Sequence, residues 1–514
     1  MFDRAISGLG LFVMILLAWL LSSQKRRFPW RVVVGGLGLQ LVLALLILMT
    51  KRGRELFEIL GGGFEKTIGF VDEGCVIVFG DNFRDYYFAF RVLPTIIFFS
   101  SLMAVLYHMG VMQFIIRQLG RVLQHTLGTS GAESLSAAAN IFVGQTEAPF
   151  VIRPFLPVLT KSELMAIMTG GFATVAGGVM ALYIGWNIDA GHLLTASVIS
   201  APAGLVIAKI ILPETQTPVT AGQTDFEIPK ETSNLIEAAT QGASEGLKLA
   251  LNVAAMLIAF TGLITLLDFL LSESSLYIIQ LFDESATEGI TFAKLCGWVF
   301  SPLARLMGIE WKDCVPAGQL LGYKMFANEL IAFKYMKEVL PGVEGAAHQL
   351  SPRSTMIMTY ALTGFSSFAS IGIQVGGIGG LCQERKKDLA AIGLKAMLGG
   401  TLACCMTACI AGMVAEESKP VTKEVEESAE EKARRELRKE IQSVIEEMGK
   451  KSESESEKTK DGESAEGKAD DTSAVLAPDN SPAHLYRRDW FTGTVGTLPD
   501  AFARNRGCSR FMTA

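Results

Sequence analysis

The feature that most constrains this chain is the recurrence of long apolar runs, nearly free of charge, across the first four-fifths of its 514 residues. The first extends from about Ile6 to Ser22 and the second from Val32 to Met49. Others cover about Phe88 to Tyr107, then 163–185, 192–212, 247–271, 354–380 and 388–413. Each is long enough to cross about 30 Å of hydrocarbon, where backbone polar groups must be satisfied within the protein. The expected fold is therefore an all-α polytopic membrane protein with eight transmembrane helices. A charged fraction of only 19% agrees with this, and much of that charge lies after Glu416. The chain thus reads as a membrane-embedded body followed by a charged, soluble tail.

The flanks suggest an orientation. Lys25, Arg26, Arg27 and Arg31 follow the first run rather than precede it, so it reads as a membrane helix with a cytoplasmic exit, not a secretory signal. Stretches 186–191 and 272–290 lack Lys and Arg, whereas 383–388 holds Arg385, Lys386 and Lys387, as alternate crossings from an outside N-terminus require. Lys51, Arg52 and Arg54 fall on the wrong side for that scheme. Val111 to Leu127, with Arg117 and Arg121, is amphipathic and expected to lie in the interface.

Two segments do not read as simple spans. Residues 133–159 are apolar but interrupted by Gly144, Pro149, Pro154 and Pro157, and 316–340 carry Gly318, Gly322, Asn328 and Glu329. Irregular backbone at membrane depth is tolerated only when buried in protein or lining a watery cavity. Each is followed by a Gly/Ser/Thr-rich stretch, Thr169–Gly177 and Thr363–Gly372, at matching places in the two halves. Paired interruptions of this kind point to a midplane binding site. The expected organisation is a scaffold side over 1–127, a transport core over 128–414 and a largely disordered tail over 415–514. An amphipathic helix is expected near 421–449 in that tail.

Composition excludes several classes. A net charge of −6 supplies no basic footprint for nucleic acid. The eight cysteines form no CxxC pair, the five histidines are scattered, and neither HExxH nor a GxxxxGK[ST] phosphate loop occurs. No nucleophile–base pattern suggests an enzyme, and none of these features suggests an ATP-driven pump.

Polar residues inside the apolar body carry the chemistry. A carboxylate at membrane depth costs about 2.5–3.5 kcal/mol on insertion scales, so Glu147 and Glu329 each need a cation, a proton, a polar ligand or a local partner. Glu147 could instead be solvated at a hairpin mouth or pair with Arg153, and Glu329 could pair with Lys324 or Lys334. Gln145 offers a donor and an acceptor suited to the edge of a nucleobase or an amide, with a hydrogen bond inside the hairpin as the structural alternative. A carboxylate such as Glu329 can hold paired sugar hydroxyls. Ser366, Ser367 and Ser370 could coordinate a ligand without a charge penalty, or bond back to their own helix. Asn140 and Thr174 are candidate ligands of a hard cation, with a helix cap and a packed hydroxyl as the structural alternatives.

The stretch Asn140-Ile141-Phe142-Val143-Gly144-Gln145-Thr146-Glu147-Ala148-Pro149 strongly resembles the concentrative nucleoside transporters, in their bacterial eight-helix form. So do Leu93 to Leu102, Asn252 to Phe260 and Asn328-Glu329, in the family's order, and the likeness spans about 1–414. The resemblance implies a homotrimer in the plasma (inner) membrane, each protomer with eight membrane helices, an interfacial helix and two re-entrant hairpins with internal inverted repeats, importing nucleosides with a cation gradient by an elevator-like movement. It implies base contacts by Gln145, Thr146, Glu147 and Val179, ribose contacts by Glu329 and Ser370, and an aromatic lining at Phe365. It also implies sodium at Asn140, Val143, Thr174 and Val175, the two valines through their carbonyls.

The chain departs from the family at Ser367, where an asparagine usually contacts ribose. The shorter serine is expected to bring a water into that contact. Ala369 stands where serine is common, and Thr174 replaces a common serine while keeping the hydroxyl. Sodium is the expected coupling ion, because Asn140 and Thr174 retain the oxygen set. Proton coupling through a glutamate, or a non-transporting sensor on the same scaffold, are the other readings. No cofactor is expected beyond the coupling ion, and the partners are nucleoside, sodium and the lipid bilayer.

Overall fold

The computed structural model describes residues 2–86, 88–186, 188–223, 232–281, 287, 289–340 and 348–414. The tail from 415 on, with the helix expected near 421–449, lies outside the described residues.

Among the described residues the regular structure is entirely helical. It opens with α1 (Phe2–Leu20), α2 (Trp30–Ala44, continued by a π turn to Met49), α3 (Lys51–Phe79), α4 (Leu93–His108) and α5 (Val111–Leu127). The first interrupted segment becomes α6 (Gly131–Ala139), a turn and a 3-10 stretch over Ala148–Val158. Then come α7 (Lys161–Ala173), α8 (Gly177–Gly185), α9 (Ala190–Ile211), α10 (Leu235–Gln280) and α11 (Phe292–Leu306). The second interrupted segment is α12 (Cys314–Phe326) and α13 (Glu329–Glu338), followed by α14 (Pro352–Leu362), α15 (Phe368–Leu381) and α16 (Lys386–Val414).

Several expectations are corrected here. Residues 51–54, read as loop charges, begin the 29-residue helix α3, capped by the Thr50 hydroxyl on the Gly53 N–H. The run expected over 247–271 is the middle of a 46-residue helix, so part of the expected 272–290 loop is helical. Helix α11 has no counterpart in the sequence reading. The spans expected over 163–185 and 354–380 are both broken, at Thr174–Ala176 and at Thr363–Ser367. Among the described residues, seven helical segments are long and apolar enough to cross a bilayer, counting α7 and α8 together; the expected eighth span is the pair α14 and α15.

The breaks have local causes. Thr174 is extended, with φ −123° and ψ 166°. At the second break Gly364 has φ +133°, a region that strains any residue with a side chain. A Cβ there would lie 2.6 Å from Cys404 Sγ and 2.7 Å from the Phe172 carbonyl oxygen. The two breaks are therefore packed against each other, and the Cys404 thiol donates to Thr363 O at 2.8 Å between them. Helices α7, α9 and α16 form the centre of the body and are buried along almost all of their length. Helix α10 is the opposite case, mostly exposed and packed along α4 with an apolar outer face.

Candidate functional site

Both hairpins have rigid feet. Ser130 and Thr160 cap α6 and α7, each with a reciprocal glutamate three residues on, Glu133 and Glu163. Ser130 Oγ also donates to Glu163 Oε1 at 2.6 Å, joining the two caps. The buried Lys209 ammonium, from α9, lies 2.7 Å from Glu133 Oε2 and 3.3 Å from Glu214 Oε2, and donates to Ser162 at 3.0 Å. Burial opposes ionisation of Glu214, but Lys209 and the hydrogen bonds from Gln216 N–H and Thr160 hold its carboxyl below the usual range. At the foot of the second hairpin, buried Asp313 lies 2.8 Å from His348 Nε2 and accepts from Ser351 N–H at 3.0 Å.

The tip of hairpin 1 is built differently. Helix α6 ends at Asn140, and the turn that follows meets the α7–α8 break. Gly177 N–H donates to Phe142 O at 3.0 Å, and Ser197 Oγ to Ile141 O at 2.9 Å. These bonds set the turn against the α7–α8 break, where a Cβ at Gly144 would lie 3.5 Å from that of Ala176. Among the described residues, buried Asn140 Oδ1 has no partner and no hydrogen bond reaches the Val143 or Val175 carbonyl. Thr174 Oγ1 donates to Gly170 O at 3.0 Å, which leaves its lone pairs free. Four neutral oxygens at the carbonyl ends of α6 and α7 suit a hard monovalent cation. Asn140 does stand at the C-cap of α6, where its backbone N–H bonds back into the helix while its side-chain oxygen makes no bond, and the packed-hydroxyl alternative describes one half of what Thr174 does.

Beyond the turn, Gln145 is buried and Thr146 half-buried. Glu147 is exposed, as a solvated residue at the hairpin mouth would be, with one carboxylate oxygen accepting from Gly144 N–H at 3.2 Å. Val179 lies one turn into α8, and Tyr183 one turn further. The Tyr183 ring packs 4.2 Å from that of Phe333 on α13, so α8 runs from the first hairpin to the second.

At the second hairpin Asn328 Oδ1 caps α13 through Ile331 N–H at 2.9 Å, while its Nδ2 and Glu329 Oε2 are buried without partners. Neither expected lysine pairs with Glu329. Lys324 donates to Ala361 O at 2.8 Å, and Lys334 lies over the Tyr335 ring. The rings of Phe326 and Phe368, 5.5 Å apart, bring the end of α12 to the start of α15. There Ser367 caps α15 by accepting from Ser370 N–H, and the two hydroxyls are 2.9 Å apart. Ser366 Oγ is buried and unpartnered, and Phe365 is half-buried.

Two side chains here were missed in the sequence, Tyr183 and Gln374. Gln374 Nε2 donates to Gln145 Oε1 at 2.9 Å and to Met168 O at 3.1 Å, joining α15 to hairpin 1 and α7. Its position, seven residues after Ser367 and four after Ser370, places all three on one helical face, a spacing that could have revealed it. The polar groups left over are neutral oxygens at the turn of hairpin 1 and carboxylate, hydroxyl and amide groups at hairpin 2 and the start of α15.

Comparison with known proteins fits this geometry. Models described as the Na+ dependent nucleoside transporter N-terminus, nucleoside recognition and the Na+ dependent nucleoside transporter C-terminus match residues 9–82, 89–186 and 192–412. The chain is 43% identical over 415 residues to Solute carrier family 28 member 3 of Homo sapiens, covering 79% of this chain and 59% of that one. It thus spans about three-fifths of the length of that relative. An uncharacterized transporter of Haemophilus influenzae is 42% identical over 409 residues, 78% of this chain and 95% of the relative. Among solved structures it is similar to CNTnw in an inward-facing substrate-bound state, with TM-score 0.74 and 39% identity over 80% of this chain and 98% of that one. Variants of the same protein in outward-facing states score 0.73 at 38% identity.

Proposed function

The chain belongs to the Na+ dependent nucleoside transporter family, and we propose that it is a sodium-coupled importer of nucleosides. The observation that carries this reading is the set of buried, unpartnered polar atoms at the two hairpins, Asn140 Oδ1 on one side and Glu329 Oε2 on the other. Such atoms cost free energy unless a ligand satisfies them. Sodium would take Asn140 Oδ1, Thr174 Oγ1 and the carbonyls of Val143 and Val175. Holding these oxygens together fixes the hairpin turn against the α7–α8 break and so orders Gln145, Thr146 and Glu147. The base then meets those residues and Val179, while Glu329 and Ser370 take the ribose and Phe365 lines the site. Ser367, occupied in capping α15, positions Ser370 and reaches the sugar through a water.

Movement follows from the division of the body. Residues 128–414 would act as the transport core, riding against a scaffold that includes 1–127. The inward- and outward-facing forms of CNTnw support alternating access of this elevator kind. The apolar outer face of α10, including Leu251, Ile258 and Leu266, suits packing within a homotrimer in the plasma (inner) membrane. The test is uptake of labelled uridine and adenosine into proteoliposomes, with an inward sodium gradient against choline at fixed pH. Accumulation that needs sodium establishes the reading. Equal uptake in choline, rising at low pH, would replace it with proton coupling.

A further inference from the structure

We propose that Gln374 is a positioning residue that sets base selectivity by locking the orientation of the Gln145 amide. The Met168 carbonyl can only accept, so the group 3.1 Å from it must be the Gln374 amide nitrogen. The second N–H of that nitrogen is then directed at Gln145, 2.9 Å away, and only the Gln145 oxygen can receive it. Gln145 is thereby fixed with its oxygen turned to α15 and its NH2 turned away. Among the described residues that NH2 has no partner, yet it is not one of the sealed polar atoms, so it is the part of the amide open to a ligand.

A free glutamine would serve bases that donate or accept with equal ease, by rotating its amide through half a turn. A locked one presents donors only. It favours a base atom that accepts, a carbonyl oxygen or an unprotonated ring nitrogen, over an amino group at the same place. Helix α15 therefore carries both ends of recognition on one face, with Ser367 and Ser370 at the ribose and Gln374 one and two turns on, behind the base. Gly171 completes the device. A Cβ at that position would lie 2.8 Å from Gln374 Nε2 and 2.9 Å from Gln145 Cβ, so only glycine leaves the two amides room to meet.

This inference rests on the reading of hairpin 1 as the base-binding element, and the test separates the two. KM and Vmax are measured in proteoliposomes for uridine against cytidine and for inosine against adenosine, pairs that exchange a carbonyl for an amino group. Wild type, Gln374→Leu, Gln145→Ala and the double variant are compared. The KM ratio within each pair does not depend on how much protein inserts. Gln374→Met, which keeps side-chain length without the polar atoms, replaces Gln374→Leu if that variant fails to insert. Loss of the lock should move the ratio toward one by about two- to tenfold, the range of one hydrogen bond. In the Gln145→Ala background the same change should leave the ratio where it was. An unmoved ratio, an equal shift in both backgrounds, or a uniform fall in Vmax with constant ratios would overturn the inference while the transport reading stands. A wild-type protein that takes up none of the four would overturn the reading and the inference with it.

Discussion

Glu329 is the residue whose surroundings argue most directly for a ligand. One of its carboxylate oxygens is buried without a partner, and the lysines at helical spacing are engaged elsewhere. Glu329→Gln keeps the shape and removes the charge. A hydrogen bond to a charged group is worth about 1.5–3 kcal/mol, so KM for uridine should rise roughly ten- to hundredfold while the protein still inserts. Unchanged uptake would remove Glu329 from the site. Thr174 tests the cation cage in the same way. Thr174→Val deletes the oxygen at nearly constant volume, and the sodium concentration for half-maximal uptake should rise about two- to tenfold. Thr174→Ser should restore it, which a packing role for the methyl group would not allow. Residues with a costly side chain in an apolar run, such as Glu329, were legible in the sequence because the cost is local. Gln374 and Tyr183 were not, because their partners come from elements distant in sequence. A lone glutamine in α15 acquires meaning only when Gln145 is found 2.9 Å away.

At the scale of elements, apolar length announced most of the membrane helices, and the Pro and Gly interruptions announced the two hairpins. The helix breaks were hidden because Thr174-Val175-Ala176 and the Ser-rich second break keep the hydropathy of their neighbours. Helix α3 was hidden for the opposite reason, since its charges make it resemble a loop although Thr50 caps it. Glycines at these elements separate packing from propensity. Gly171→Ala places a methyl group between the two amides, and overpacking of this kind costs about 1–3 kcal/mol. It should lower the melting temperature in detergent and abolish selective uptake. Gly62→Ala in α3 meets nothing within 4 Å and should instead be neutral or stabilise by about 0.5–1 kcal/mol. The foot of hairpin 2 responds to pH. Burial opposes ionisation of Asp313, but the Ser351 N–H, Ser354 and His348 bonds outweigh it and hold the carboxyl below its ordinary value of 3.8. A depressed folded value means that the stabilisation is complete above 3.8 and is lost as pH falls through the lower folded value. The melting temperature of Asp313→Asn should therefore lie below wild type at pH 7, with the gap closing below that range. A gap independent of pH down to acid unfolding would show that the carboxylate charge is not what holds the hairpin.

For the whole molecule, what matters is that the proposed cation cage and the proposed base contacts share one turn. Asn140 and Val143 stand at its start and Gln145 to Glu147 at its end, while Gln374 ties that end to α15 and the ribose side. An ion that fixes the start of the turn lowers the conformational cost of binding a base at its end, and the reverse holds equally. Linkage requires the two effects to be one factor, typically about 5- to 150-fold for coupling of 1–3 kcal/mol. The dissociation constant of uridine in sodium against choline, and that of sodium with and without uridine, should change by the same ratio in the purified protein. Gln374→Leu loosens the far end of the turn without touching the cage, so it should reduce that ratio while leaving sodium affinity in the absence of uridine intact. A uridine affinity indifferent to sodium would separate the two sites. Coupling would then have to arise in the movement of the core, not in the assembly of the turn.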